Sequence, residues 1–344
     1  MIVITGFLGS GKTTILNHIV RQPDMQKTAV IVNEFGEIGI DHMLVETSEE
    51  NMIEINNGCI CCTVRGDLAD KLGSLAMWLD TGHVPPVDRV IVETTGLADP
   101  APIMHTLMTD ENLLNRYRLE SVITVVDAIA GAGSITRFPE ALKQVAIADH
   151  LVLSKGDLVD THSDPAALAG LRARLREINP RAVHHDAVNG AIDMAMLECK
   201  GDDDAQAAFH DFSDWIAAAE DTCRDAECHD HSHDHGHAHQ HAHDDGGITS
   251  FVVRLNKPVD TAGFSEFLQD LVIEFGDNLL RMKGILNVAG RPDNPAVIHG
   301  VQHVMFPVSW LDAWPDEERT TRLVFITQGL DGKVIQDRFD SRYA

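Results

Sequence analysis

Short β-branched apolar runs recur through the first two hundred residues, with room for a helix between them. Ile2-Val3-Ile4, Ala29-Val30-Ile31-Val32, Arg89-Val90-Ile91-Val92, Ser121–Val126 and His150–Leu153 are continuous rather than alternating. Strands buried on both faces of a parallel sheet have this pattern. Thr14–Val20, Asp67–Leu79 and Pro165–Ile178 lie between them with apolar residues at helical spacing. The alternation predicts an α/β fold with a mainly parallel sheet covered by helices. Ligands of such sheets bind at the carboxyl ends of the strands.

The rhythm breaks at about residue 200 and resumes at Ile248. Thr249–Leu255 alternates like a half-buried strand and Thr261–Phe275 repeats like a helix. Gly284–Val288, Ala296–His299 and Arg322–Thr327 are further strand candidates, and Asp331–Phe339 a closing helix. These predict a small α+β domain of ordinary size. The intervening stretch offers one amphipathic pattern, Phe209–Ala219, and otherwise nothing that could build a core. The expected organisation is a first domain over 1–200, a flexible linker over 201–247 and a second domain over 248–344.

Gly6-Phe7-Leu8-Gly9-Ser10-Gly11-Lys12-Thr13 follows the first strand and opens the first helix. It fits the phosphate-binding pattern G-x-x-x-x-G-K-[ST] at every fixed position. Backbone amides converge in such a loop, and the helix dipole favours an anion there. Lys12 is positioned to reach the β- and γ-phosphates and the Thr13 hydroxyl to bind Mg²⁺, with Gly6, Gly9, Ser10, Gly11 and Thr14 shaping the cradle. The loop implies a nucleoside triphosphate.

Further segments fit a GTPase. Glu93 ends an apolar strand, where a carboxylate can hold Mg²⁺ or its water, and Gly96 can present its N–H to the γ-phosphate. Asp127 also ends a strand, as a functional acid or as a helix cap. Ser154-Lys155-Gly156-Asp157 is like the guanine-reading pattern N-K-x-D, with Asp157 toward the base, the Lys155 stem along the ring and Ser154 in place of Asn. Asn33–Asp41 follows the second strand and carries Glu34, Glu37 and Asp41. These acids suit Mg²⁺, a transition metal or plain solvation.

Composition narrows the partners. The net charge of −26 opposes a nucleic-acid partner. No apolar run approaches the ~20 residues of a membrane span. The sequence opens on its first strand, leaving no room for a leader, so the expected compartment is the cytoplasm. Six cysteines there do not suggest a disulfide framework. Three of them fall together in Asn57-Gly58-Cys59-Ile60-Cys61-Cys62, a stretch read as a polar loop after a turn. Thiols this close offer soft ligands to one ion; the competing reading is inert buried cysteines. Residues 201–247 hold thirteen Asp or Glu against one Arg. They also carry His229, His231, His233, His235, His237, His239, His241 and His243 in strict alternation. Neutral imidazoles at pH 7 can gather Zn²⁺ or Ni²⁺.

Gly6–Thr14, Asn33–Asp41, Gly58–Leu68 and Glu93–Pro100 together resemble the CobW-type GTPases, metallochaperone-like relatives of the urease, hydrogenase and cobalamin-enzyme maturation GTPases. Leu280–Leu286 is similar to a stretch of that family's C-terminal domain. The resemblance implies a P-loop GTPase using GTP and Mg²⁺ that transfers a metal in step with nucleotide state. Zinc is the usual cargo, with cobalt or nickel as alternatives. It assigns Cys59, Cys61 and Cys62 to the metal, with Glu37 as an added oxygen ligand. The implied partners are a client metalloprotein and a second copy of the chain in a nucleotide-dependent dimer. A passive zinc buffer with a regulatory GTPase remains the alternative, as does a cobalt or nickel insertion factor.

Overall fold

The computed structural model describes residues 1–25, 27–33, 52–55, 59–62, 68–100, 102, 110–159, 165–180, 182–192, 247–305 and 308–343. The chain divides into two compact units, Met1–Arg174 with Ala182–Glu198, and Leu175–Arg181 with Cys199–Ala344.

The first unit is built on an eight-stranded sheet. Its strands are β1 (Ile2–Gly6), β2 (Thr28–Asn33), β3 (Met52–Ile55), β4 (Cys59–Cys62), β5 (Arg89–Thr94), β6 (Ser121–Asp127), β7 (His150–Ser154) and β8 (Val183–Asp186). They lie in the order β3-β4-β2-β5-β1-β6-β7-β8. Every pairing is parallel except β3 with β4. The helices are α1 (Lys12–Val20), α2 (Leu68–Asp80), α3 (Glu111–Leu114), α4 (Gly131–Arg137), α5 (Pro139–Ala146) and α6 (Pro165–Ile178). Ile15, Leu16 and Ile19 of α1 pack on Ile2, Ile4, Val30, Ile91 and Ile123. The continuous apolar runs are thus explained: β1 and nearly all of β6 are buried.

The second unit carries an antiparallel sheet in the order β12-β11-β10-β14-β9, with β13 paired to β11. Its strands are β9 (Ile248–Leu255), β10 (Leu279–Val288), β11 (Arg291–Val301), β12 (Val304–Met305), β13 (Ser309–Trp310) and β14 (Thr321–Gln328). β9 alternates in burial along its length and pairs with β14 from Ile248↔Gln328 to Leu255↔Thr321. Helices α7 (Thr261–Phe275) and α8 (Gly332–Tyr343) cover one face. Phe264, Phe267, Ile335 and Phe339 form the core there with Phe251, Val253 and Phe325. Asp260 starts α7 by accepting from the Gly263 amide at 2.6 Å, the usual work of an N-cap carboxylate.

Two readings of the sequence change. The cysteine stretch expected as a loop is a strand, β4, in register with both β2 and β3. Four residues need only a neighbour with free edge groups, and β2 supplies one. The strands β3, β8, β12 and β13 were not anticipated, being short or polar, as in Val183-His184-His185-Asp186. The pattern at Phe209–Ala219, like all of the stretch 193–246, lies outside the described residues.

Candidate functional site

The phosphate loop joins β1 to α1 at the carboxyl edge of the sheet. Gly6, Gly9 and Gly11 hold φ values of 141°, 71° and 92°, in the region that side chains with a Cβ avoid. A Cβ on Gly6 would stand 2.3 Å from the Val125 carbonyl oxygen. Gly11 precedes α1 with no side-chain cap, so the first-turn amides remain oriented toward an anion. Lys12 is 8% exposed and its Nζ donates to the Phe7 carbonyl at 3.0 Å. The ammonium lies curled within the loop it serves.

Thr13 and Glu93 meet at the ends of α1 and β5. The Thr13 hydroxyl donates to Glu93 Oε1 at 2.7 Å, and Glu93 is 5% exposed. A hydroxyl and a carboxylate converging beside a phosphate loop are hard oxygen donors of the kind Mg²⁺ takes. Gly96 follows two residues beyond β5. A Cβ there would come within 2.7 Å of both N and Cα of Leu8. The post-strand loop therefore lies directly on the phosphate loop, and only glycine permits the approach.

The segment after β7 packs against the same loop. The Ser154 hydroxyl donates to the Ser10 carbonyl at 2.5 Å. Lys155, in a left-handed conformation at φ 59°, donates to the Gly9 carbonyl at 2.7 Å and pairs with Asp127 at 2.5 Å. Asp157 is exposed in the short 3-10 turn that follows. Asp127 takes a structural part, accepting at Oδ1 from the amides of Ile129 and Ala130 at 2.8 and 3.1 Å. Burial alone would raise its pKa, but the hydrogen bond from Lys155 and the two amides outweigh it and hold the carboxyl below its ordinary value. The alternatives left open for Asp127 thus resolve toward an Asx turn tied to Lys155.

Three parts of this neighbourhood were not legible in the motifs. Gln144 on α5 is buried and donates to Gly96 O and Ala98 O at 3.3 and 3.0 Å. Lys143 beside it pairs with Asp99 at 3.1 Å. Phe138 stacks on Phe7 with ring centroids 4.6 Å apart. The available signal was Gln144 itself, a polar residue among Ala141, Leu142, Val145 and Ala146 on a short helix.

The cysteine strand lies on the far side of β2 from β5, with Cys61 and Cys62 in register with Val30 and Ile31. Cys62 pairs with Ile31 of β2, and Ile31 pairs with Val92 of β5. One row across three strands thus joins the cysteine strand to the residue before Glu93. Glu37 and His229–His243 lie outside the described residues. Among the described residues, no three His, Cys, Asp or Glu side chains are grouped to hold a metal.

The fold and the glycine loop define a P-loop nucleotide-binding protein with a second, antiparallel unit. The family model described as CobW/HypB/UreG, nucleotide-binding domain, matches residues 1–185, and the cobalamin synthesis protein CobW C-terminal domain matches residues 248–342. The chain belongs to the CobW/HypB/UreG family. It is 34% identical to the zinc chaperone YjiA of Escherichia coli K12, over 98% of this chain and 96% of that one. It is 30% identical to the zinc chaperone CobW of a Sinorhizobium species, over 84% and 82% of the two chains. The crystal structure of the Zn(II)-bound YjiA GTPase from E. coli superposes with a TM-score of 0.70 at 31% identity, covering 99% of this chain and 97% of that one.

Proposed function

We propose that this protein is a GTPase that binds a divalent metal, zinc first, at the Cys59/Cys61/Cys62 strand and hands it to a client protein according to the nucleotide it holds. The observation that carries the reading is the row Cys62–Ile31–Val92. The cysteine strand and the Glu93 strand flank the same central strand, at about 4.8 Å per step. β2 ends at Asn33 and leads into the acidic segment bearing Glu37. A change at the end of β2 is therefore felt on both sides.

The chain's residues divide the work. The loop Gly6–Thr14 holds the phosphates, and Lys12 leaves the Phe7 carbonyl to take the β/γ bridge. Thr13 and Glu93 hold Mg²⁺, which when bound offsets charge on the phosphates. Gly96 turns its N–H to the γ-phosphate, and Asp157 reads the guanine. Cys59, Cys61 and Cys62 take the metal as thiolates, releasing protons as they do. Glu37 adds an oxygen ligand in the GTP-bound state. Linkage then makes metal and nucleotide change each other's affinity by the same factor.

The other parts follow from this assignment. Residues 1–200 are the GTPase domain and 248–344 the CobW-type domain. The tract His229–His243 gathers metal in the joining segment. The partners are a client metalloprotein and, in the GTP state, a second copy of the chain. The proposed compartment is the cytoplasm; among the described residues, no helix is long and apolar enough to cross a membrane.

The test is zinc competition against a chelator, with GDP and with a non-hydrolysable GTP analogue, on wild type and on the Cys61→Ser/Cys62→Ser double variant. The expected result is tighter zinc with the analogue, and loss of the tight site in the variant. Equal zinc affinity in both nucleotide states would favour a passive buffer and end the coupled reading.

A further inference from the structure

We infer that Gln144 is a positioning residue for GTP hydrolysis, its carboxamide gripping the Gly96–Asp99 loop in register with the phosphate loop. The inference rests on reading this unit as a GTPase.

Gln144 is 1% exposed on the apolar side of α5. A buried amide is costly unless it is hydrogen-bonded. Its Nε2 faces two carbonyl oxygens, Gly96 O at 3.3 Å and Ala98 O at 3.0 Å. Both neighbours are acceptors, so only the NH₂ end can lie toward them. The opposite atom, Oε1, is buried and without a hydrogen-bond partner among the described residues. Ser10 Oγ has the same status, and both residues line one small cavity beside the phosphate loop. The Gln144 amide is oriented by its grip on the loop.

The helix that carries it is itself anchored. Thr124 of β6 donates to the Gln144 carbonyl at 2.7 Å. Lys143 pairs with Asp99 at 3.1 Å, so α5 holds the loop at residues 96, 98 and 99. At its other end Phe138 stacks on Phe7 of the phosphate loop. One short helix therefore fixes the spacing between the loop that holds the phosphates and the loop that meets the γ-phosphate. Donors held in advance where charge develops lower a barrier far more than mobile ones. Freeing Gly96–Asp99 slows hydrolysis and leaves untouched the amides that hold the α- and β-phosphates.

The test uses the full chain with Gln144→Leu, which keeps the size and removes the donors, and Lys143→Ala, which leaves the buried core intact. GTP turnover, KM, GDP affinity and thermal unfolding are measured on both. For Gln144→Leu the expected outcome is a fall in kcat of about tenfold or more with GDP affinity near that of wild type. Lys143→Ala should lose kcat in the same sense but less, and decides the matter if Gln144→Leu does not fold. An unchanged kcat, or GDP affinity falling in parallel with kcat, overturns the inference. Absence of GTP turnover in wild type is a different result, and removes the GTPase reading on which it rests.

Discussion

The Ser154 hydroxyl braces the phosphate loop by donating to the Ser10 carbonyl at 2.5 Å. A serine has one O–H to give, and this one is given to the backbone of the phosphate loop. The departure from N-K-x-D thus keeps the loop support, and in the proposed reading base recognition falls to Asp157. Ser154→Ala should weaken GTP and ATP alike, by roughly fivefold for a lost hydrogen bond of about 1 kcal/mol. Asp157→Ala should instead cost GTP about tenfold or more and leave ATP nearly unchanged. Side-by-side titration of the two nucleotides separates these outcomes, and equal affinity for both in wild type would remove the guanine assignment.

Lys12 rests on the Phe7 carbonyl at 3.0 Å and must leave it to meet a phosphate. Lys12→Ala removes the cation that lies within the cradle. GTP hydrolysis is expected to fall by about a hundredfold or more, with the unfolding temperature little changed. Normal turnover in a folded variant would refute the phosphate-loop assignment.

Asp127 has its carboxyl held below the ordinary value by Lys155 and two amides, against the opposing effect of burial. A carboxyl depressed in the folded state stabilises above its unfolded pKa and loses that contribution as pH falls through the folded value. Asp127→Asn should therefore lower stability at neutral pH, by on the order of 1–3 kcal/mol. The gap from wild type should begin to narrow on acidification below about pH 4 and go on narrowing as pH falls through the folded value. Denaturant unfolding at neutral pH and through the acid range checks both halves; a gap that does not narrow in acid would mean the ion pair is not its source.

Deleting His229–His243 should leave GTP turnover nearly intact and lower the number of zinc ions bound per chain. The tract has ligands and no core-forming residues. Zinc stoichiometry by elemental analysis, alongside turnover, is the measurement. Loss of folding on deletion would assign the tract a structural part instead.

Most of the sheet could be read from the sequence because parallel strands must be apolar on both faces. Ile2–Ile4 and Ser121–Val126 left no other option. The phosphate loop was legible because Gly6 sits where no Cβ fits and Gly11 holds a left-handed φ of 92°. β8 was not, since Val183-His184-His185-Asp186 lies at the sheet edge and needs no apolar pattern to pair. β4 was misread as a loop because Cys59–Cys62 take their conformation from β2 rather than from any local preference. Gln144 escaped for a similar reason: its partners are backbone carbonyls nearly fifty positions earlier, and side-chain patterning carries no trace of them.

The pairing of β9 with β14 along all eight residues sets an order of events at the ribosome. β9 is the first strand of its sheet to be made and β14 the last, so this sheet cannot close until residue 328 has emerged. The first unit's strands are complete by Asp186. Domains generally fold as units during synthesis, so the GTPase can hold its nucleotide while its companion is still being translated. A stop codon before Thr321 would release a protein with a finished phosphate loop, an open sheet edge at β10 and a β9 that has lost its pairing strand.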